Sequence, residues 1–291
     1  MSKASTCGLL GVSRQVYYRS IHSKEKKQTK AETVVKLVAN IRCDMPRIGF
    51  RKLYHLLYEP LRELNIGRDK FLSILRANHL LVKPKKNYRI TTDSHHRFRK
   101  HKNLIENISL ERPEQVWVSD ITYIGGRSRN CYLALVTDAY SKKIMGYDVS
   151  DSLATEGSLR ALNMAIKRRK YKGKLIHHSD RGFQYCSNDY QKTLEKKKIV
   201  PSMTESYDPY ANAIAERVNG ILKQEFLLED YLVDIKTMML LVSDAVRIYN
   251  TKRPHFSCHM KTPDQMHKQN QMKIRTYKNK ESNRASPITF L

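Results

Sequence analysis

Three carboxylates stand where a charge needs a reason. Asp120 interrupts the apolar run "QVWVSDITYIGG", and a carboxylate inside a buried strand is expensive unless it is paired, metal-bound or at an open face. Asp180 closes the short run "LIHHSD", at the C-terminal end of a strand, where α/β folds place their sites. Glu216 lies in the helical pattern "YANAIAERVNGILKQE". Each also has an ordinary reading: an edge-strand aspartate facing water, a cap on the Asp-Arg-Gly turn, a solvated helix charge. Asp120 and Asp180 are 60 positions apart, and 35 residues separate Asp180 from Glu216. Two carboxylates on adjacent strands and a third from a crossing helix would form an all-oxygen clamp of the kind Mg²⁺ takes, and with two ions the arrangement that serves phosphoryl transfer. Glu225 and Glu229 lie nine and thirteen positions after Glu216, and the stretch alone does not decide among the three. Lys223, seven positions after Glu216, returns to within roughly 20° of the same helix face, where it could meet a phosphate. Taken alone it is routine surface charge.

Two further residues could support such a site. Asp138, in "VTDAYSKK", either assists from a second strand or caps a turn, and the structural role is favoured. His178, two residues before Asp180, either touches substrate or is packed at a strand end. The only tryptophan, Trp117, reads as core.

The elements that must position these groups are legible from residue 111 onward. "QVWVSDITYIGG", "CYLALVTDAYS" and "KKIMGYDVS" read as a three-stranded meander. A helix ("LATEGSLRALNMAIKRRK"), a short buried strand ("KGKLIHHSDRG"), a helix ("NDYQKTLEKKK"), a fifth strand ("IVPSM") and two more helices follow, from about Ala211 and over "DIKTMMLLVSDAVRIYNTKRPH". The 291 residues suffice for one large domain or two. Four segments are expected: a helical region 1–82, a basic linker 83–110, an α/β domain 111–267 and a basic tail 268–291.

Within 1–82, "LLGVSRQVYYRS" has the outline of a short helix-turn-helix, "HSKEKKQTK" reads as a charged linker, and three short helices follow, the second ending near Pro60. Such a module either contacts DNA or is a bundle whose lysines keep it soluble. The 83–110 linker carries Lys83, Lys85, Lys86, Arg89, Arg97, Arg99 and Lys100 with Tyr88 and Phe98 among them, a composition suited to a path along a phosphate backbone. The whole chain has a formal net charge of +26, which attracts polyanions; nucleic acid comes first, and an acidic membrane surface second. No apolar run reaches the ~18 residues of a spanning helix. Five scattered cysteines without a C-x-x-C pair argue against a disulfide framework or zinc knuckle, and suit a reduced, cytoplasmic protein.

"WVSDITY", "HHSDRGFQYCS" and "YANAIAERVNGILKQE", in this order and with these spacings, resemble the DDE transposases of bacterial insertion sequences. The nearest group is the one with two overlapping reading frames, whose downstream frame encodes the catalytic part; retroviral integrases share the core. The resemblance runs from about Glu111 to Gln265, including "KTPDQM", and more loosely through "IGFRKLYHLL" and "ANHLL". Family members often carry Asp where Ala211 stands, and Ser-Phe where Arg217 and Val218 stand; neither departure removes a candidate ligand. The resemblance implies a ribonuclease H-like α/β fold, with a mixed five-stranded sheet and flanking helices behind a small helical DNA-binding region. It implies Asp120, Asp180 and Glu216 as catalytic metal ligands for two Mg²⁺ (or Mn²⁺) ions. It further implies metal-dependent 3′-end cleavage and strand transfer on double-stranded DNA, action as a homo-oligomer on DNA, and an upstream-frame helix-turn-helix protein as a partner. A non-catalytic DNA-binding or domesticated descendant, and a ribonuclease H-like nuclease, are the alternatives.

Overall fold

A computed structural model describes residues 3–83, 101–106, 108–126, 131–204 and 213–274. The chain divides into two units, residues 1–84 and 85–291.

The first unit is helical: α1 (Lys3–Leu9), α2 (Arg14–Asp44), α3 (Phe50–Leu56), α4 (Tyr58–Glu63) and α5 (Arg68–Ala77). Ser13 caps α2 by accepting from the Val16 amide at 3.3 Å, after a turn in which Gly11 takes φ +63°. The charged stretch expected to be a linker is instead the middle of α2, 31 residues long. Lys, Glu and Gln are good helix formers and neither Gly nor Pro interrupts them, while Gln28 donates to Glu32 one turn on. Pro60 does not end a helix either. It sits in the first turn of α4, where its missing N–H has no partner to lose. Val34, Val38, Leu53, Leu61, Phe71 and Leu75 form the buried interior.

The second unit is built on one sheet: β1 (Val116–Ile124), β2 (Cys131–Asp138), β3 (Ile144–Ser150), β4 (Ile176–Ser179) and β5 (Val200–Met203). Their order is β3-β2-β1-β4-β5. The β1-β2 and β2-β3 pairs are antiparallel; β1-β4 and β4-β5 are parallel. This is the ribonuclease H-like arrangement expected. The helices are α6 (Thr155–Arg168), α7 (Phe183–Cys186), α8 (Asn188–Lys196), α9 (Ala213–Gln224), α10 (Ile235–Thr251) and α11 (Pro263–Met266). One face of the sheet is filled by Trp117, Val136, Met145, Leu162, Tyr190 and Leu194, among others. On the other face Val116, Val118 and Ile176 meet Ala215 of α9 and Ile105, Ile108 and Leu110. Residues 101–106 and 108–110 therefore belong to this unit rather than to a linker: Leu104 N–H donates to Ser202 Oγ at 2.9 Å and Met203 N–H to the Lys102 carbonyl at 3.3 Å. The start of the expected tail also packs, with Met272 and Ile274 against Tyr140, Cys258 and Met266.

Candidate active site

Asp120 lies in the central strand, not at an edge. β1 pairs with β4 through Ser119↔Ser179, so one further step of the register sets Asp120 beside Asp180, where β4 ends and β1 runs on. Here β1 is flanked by its antiparallel and its parallel neighbour, the strand-order reversal at which open sheets form their crevice. Asp180 Oδ1 accepts from the Gly182 amide at 3.0 Å, so it also caps the turn that leads into α7.

Helix α9 covers this crevice with a polar stripe. Asn219 Nδ2 donates to Asp120 Oδ2 at 2.8 Å, and Lys223 Nζ lies 3.4 Å from Thr122 Oγ1. Four helical residues rise about 6 Å and two strand residues about 6.6 Å, so the helix runs alongside β1 in the same direction. Glu216 lies one turn before Asn219 on the same helix. It is exposed, while Ala215, Val218 and Leu222 anchor the helix in the core.

The Asp120 carboxyl is pushed up to about 8, first by burial, then by the charge of Asp180 and, more weakly, of Glu216. Hydrogen bonds from Asn219 and the Ile121 amide oppose that rise. Partial burial raises Glu216 as well. Among the described residues no three His, Cys, Asp or Glu side chains are gathered closely enough to hold one ion as they stand. The donor set suits a hard divalent cation: carboxylate oxygens that resist ionisation together, beside the buried Asn219 Oδ1, which has no hydrogen-bond partner. A cleft lined by Tyr123, Tyr132, Phe183 and Tyr185 extends from Asp120 and Asp180.

The remaining sequence-predicted residues fall in different places. Asp138 is fully buried and caps the β2–β3 turn, accepting from the Ser141 amide at 2.7 Å, its hydroxyl at 2.6 Å and the Glu114 amide at 2.6 Å. It pairs with Trp117, three residues back from Asp120 along β1. His178 is buried and shares a hydrogen bond with Ser202 Oγ at 2.9 Å. Its neighbour His177 is held neutral, its pKa lowered to about 3 by burial and then by His178, between Ser119 Oγ and Tyr190 OH. Lys83 is exposed, and its carbonyl accepts from Arg47. Lys85, Lys86, Arg89, Arg97, Arg99 and Lys100 lie outside the described residues, as does Ala211. Glu225 is no solvated charge: the nearly inaccessible Arg253 grips it at 2.7 and 2.8 Å. Asn219 was missed by the sequence reading, although a polar, helix-weak residue between the apolar Val218 and Leu222, one turn after Glu216, is a signal.

Residues 111–209 match the family model of the integrase core domain, and residues 197–263 match a second model of the same description. An insertion element IS600 31 kDa protein from Shigella sonnei is 32% identical over 254 residues, spanning 86% of this chain and 92% of that protein. The transposase InsF for insertion sequence IS3fB of Escherichia coli (strain K12) is 32% identical over 198 residues, 67% of this chain and 69% of its own length. A putative transposase for insertion sequence element IS986/IS6110 of Mycobacterium tuberculosis is 39% identical over 120 residues, covering 40% and 43% of the two chains. Among solved structures, the HTLV-2 integrase catalytic core domain in complex with magnesium aligns at TM-score 0.43 and 19% identity, over 54% of this chain and 97% of that one. The simian T-cell lymphotropic virus intasome aligns at 0.47 and 19%, over 84% and 80%. Residues 111–263 are thus matched by models of the integrase core domain. Within that class, the chain belongs to the family of insertion-element transposases. No helix among the described residues is long and apolar enough to cross a membrane.

Proposed function

We propose that this chain is the catalytic subunit that moves an insertion element, by metal-dependent cleavage at the element's 3′ ends and transfer of those ends to target DNA. The observation that carries the reading is the register that sets Asp120 beside Asp180 at the sheet's crevice, with Asn219 of α9 bonded to Asp120. Asp120, Asp180 and Glu216 would hold two Mg²⁺ or Mn²⁺ ions. Bound there, the ions supply a nucleophilic water at neutral pH and neutralise charge on the phosphoryl oxygens.

The chain's own groups do the rest. Asn219 orients the Asp120 carboxylate and favours its ionised form, which burial otherwise opposes. Lys223 offers a cation along the same helix face for a neighbouring phosphate. Water attacks the scissile phosphorus and the P–O3′ bond breaks, leaving a 3′-OH and a 5′-phosphate; that 3′-OH then attacks a phosphodiester of the target, forming a new P–O bond as the target's own P–O3′ bond breaks and its oxygen leaves as a 3′-OH. No covalent enzyme intermediate is needed. Double-stranded DNA, carrying the element ends and the target, is the substrate, and assembly as a homo-oligomer on DNA and pairing with the upstream-frame product belong to the same reading.

The test is incubation of the full chain with a supercoiled plasmid carrying its gene and flanking DNA, with Mg²⁺ or Mn²⁺. The expected products are breaks ending in 3′-OH at the element boundaries, and joined molecules. Specific binding to the boundaries without metal-dependent cleavage would favour a non-catalytic binder. Cleavage confined to the RNA of RNA–DNA hybrids would favour a nuclease.

A further inference from the structure

The end of the sheet opposite the carboxylates carries a concentration of charge that the proposed reaction does not use. β4 and β5 are parallel, so the segments entering them, 169–175 from α6 and 197–199 from α8, emerge at the same end, while Asp180 leaves β4 at the other. Val200 N–H donates to the Leu175 carbonyl at 3.0 Å, which sets the two segments one strand spacing apart, about 4.8 Å. Lys170, Lys172 and Lys174 on one, and Lys196, Lys197 and Lys198 on the other, are all exposed. The neighbouring exposed carboxylates are Glu195 and Glu111.

Basic residues in the last turn of a helix have an ordinary explanation in the helix dipole. That covers Lys167, Arg168 and Lys196. It extends to Lys197, the C-cap of α8, and to Lys198 and Lys170 directly after the two C-caps, but it does not cover Lys172 and Lys174, which lie farther along the segment leading into β4. The first segment is moreover held in shape from within. The buried Glu114 carboxylate accepts from the Lys170 amide at 2.9 Å and the Tyr171 amide at 2.7 Å. Arg169 turns inward to the carbonyls of Tyr171 and Gly173, at 3.0 and 2.6 Å. Arg112 clamps the Lys174 carbonyl at 2.6 Å, and a Cβ at Gly173 would stand 2.8–3.0 Å from that guanidinium. Two arginines and a glutamate thus fix the backbone, and the lysines face outward on a rigid frame.

We propose that this pole is a second binding surface for duplex DNA, holding a segment other than the one whose phosphate lies at Asp120 and Asp180. The charge is predominantly positive and spread over two adjoining segments, and their one aromatic side chain, Tyr171, is engaged within the fold, its hydroxyl donating to the His267 carbonyl at 2.9 Å and its ring against that of His267, so it offers no open platform for single-strand stacking; this matches a duplex backbone gripped by phosphate contacts. The inference rests on DNA being the substrate of this chain, as proposed above.

The test uses the full chain and a variant with all six lysines replaced by Gln. Two readouts keep the surface distinct from the site: nicking of a supercoiled plasmid in Mn²⁺, and capture of a labelled random-sequence duplex by protein already bound to a second duplex on beads. The variant is expected to nick as the wild type does. It is expected to lose capture at least tenfold, and its affinity for duplex should depend less steeply on salt, the log–log slope falling by about 3 or more at ~0.9 per phosphate contact. Unchanged capture and slope, with nicking intact, would overturn the second surface alone. Capture competed away by single-stranded RNA but not by unlabelled duplex would overturn the choice of ligand. A wild type that captures duplex but never nicks would instead overturn the proposed function.

Discussion

At the residue scale, the account turns on how few groups hold Asp120. A hydrogen bond to an ionised carboxylate contributes about 1.5–3 kcal/mol, so Asn219→Ala is expected to lower metal-dependent cleavage about tenfold or more and to raise the Mg²⁺ concentration for half-maximal activity. Its thermal unfolding should stay within a few degrees of wild type. An unchanged metal requirement would remove Asn219 from the site. Glu225 belongs to a different problem. Glu225→Gln leaves the Arg253 guanidinium, 1% exposed, without its counter-charge. Breaking a buried pair from one side costs about 3 kcal/mol, so the melting temperature should fall by roughly 6 °C; a fall under about 1 °C would contradict the pairing. Asp120, Asp180 and Glu216, the proposed ligands, could be picked out in the sequence because spacing is a one-dimensional signal. Asn219 and the Glu225–Arg253 pair were not legible, because each depends on which helix faces which partner across the fold.

At the element scale, α6 packs on β3 through a glycine. A Cβ on Gly146 would stand 2.0 Å from the Ala161 carbonyl oxygen and 2.7 Å from the Ala165 amide nitrogen. Neither is a flexible side chain. Gly146→Ala is therefore expected to cost about 3 kcal/mol through forced separation of helix and strand, read as a lower urea midpoint; a midpoint equal to wild type would mean the interface yields freely. The end of α11 is held by a buried ionic group. His267 lies 3.4 Å from Glu114 and 3.8 Å from Asp138, and Ser141 Oγ is 2.9 Å from its Nδ1. Burial lowers the His267 pKa, but the two carboxylates outweigh it and the net shift is upward from 6.5. A raised folded pKa stabilises fully below the unfolded value, and the gain is lost as pH rises through the folded one. The melting-temperature gap between wild type and His267→Asn should thus be wider at pH 6 than at pH 8.5, and a gap independent of pH would contradict a charged His267. Strands and amphipathic helices from residue 111 onward were legible because their periods are set by burial on one face. The 31-residue α2 was not: its middle is uniformly polar, and a helix without an apolar stripe looks like a linker until caps and propensity are weighed. The packing of Ile105, Ile108 and Leu110 on the sheet was hidden for the opposite reason, since the few apolar side chains of that stretch have no period.

At the scale of the whole molecule, the proposal divides the labour between the two units. The charge of +26 spreads over both, and residues 31–102 are expected to supply much of the salt-dependent affinity for element ends. A fragment of residues 103–291 should lose most specific end binding; undiminished specific binding by that fragment would contradict the division. The central claim, however, is that three carboxylates from two strands and a helix act as one site. The measurement that tests it most directly is cleavage and strand transfer by Glu216→Gln beside Glu229→Gln, with duplex affinity measured for both. Glu216→Gln keeps shape and one carbonyl oxygen but removes the charge that a divalent cation needs. It is expected to lose both reactions by about 100-fold or more, on the order of 3 kcal/mol, with DNA binding equal to or slightly tighter than wild type, while Glu229→Gln stays active. Equal activity in the two variants would mean that α9 brings only a surface charge to the sheet, and that Asp120 and Asp180 work without it.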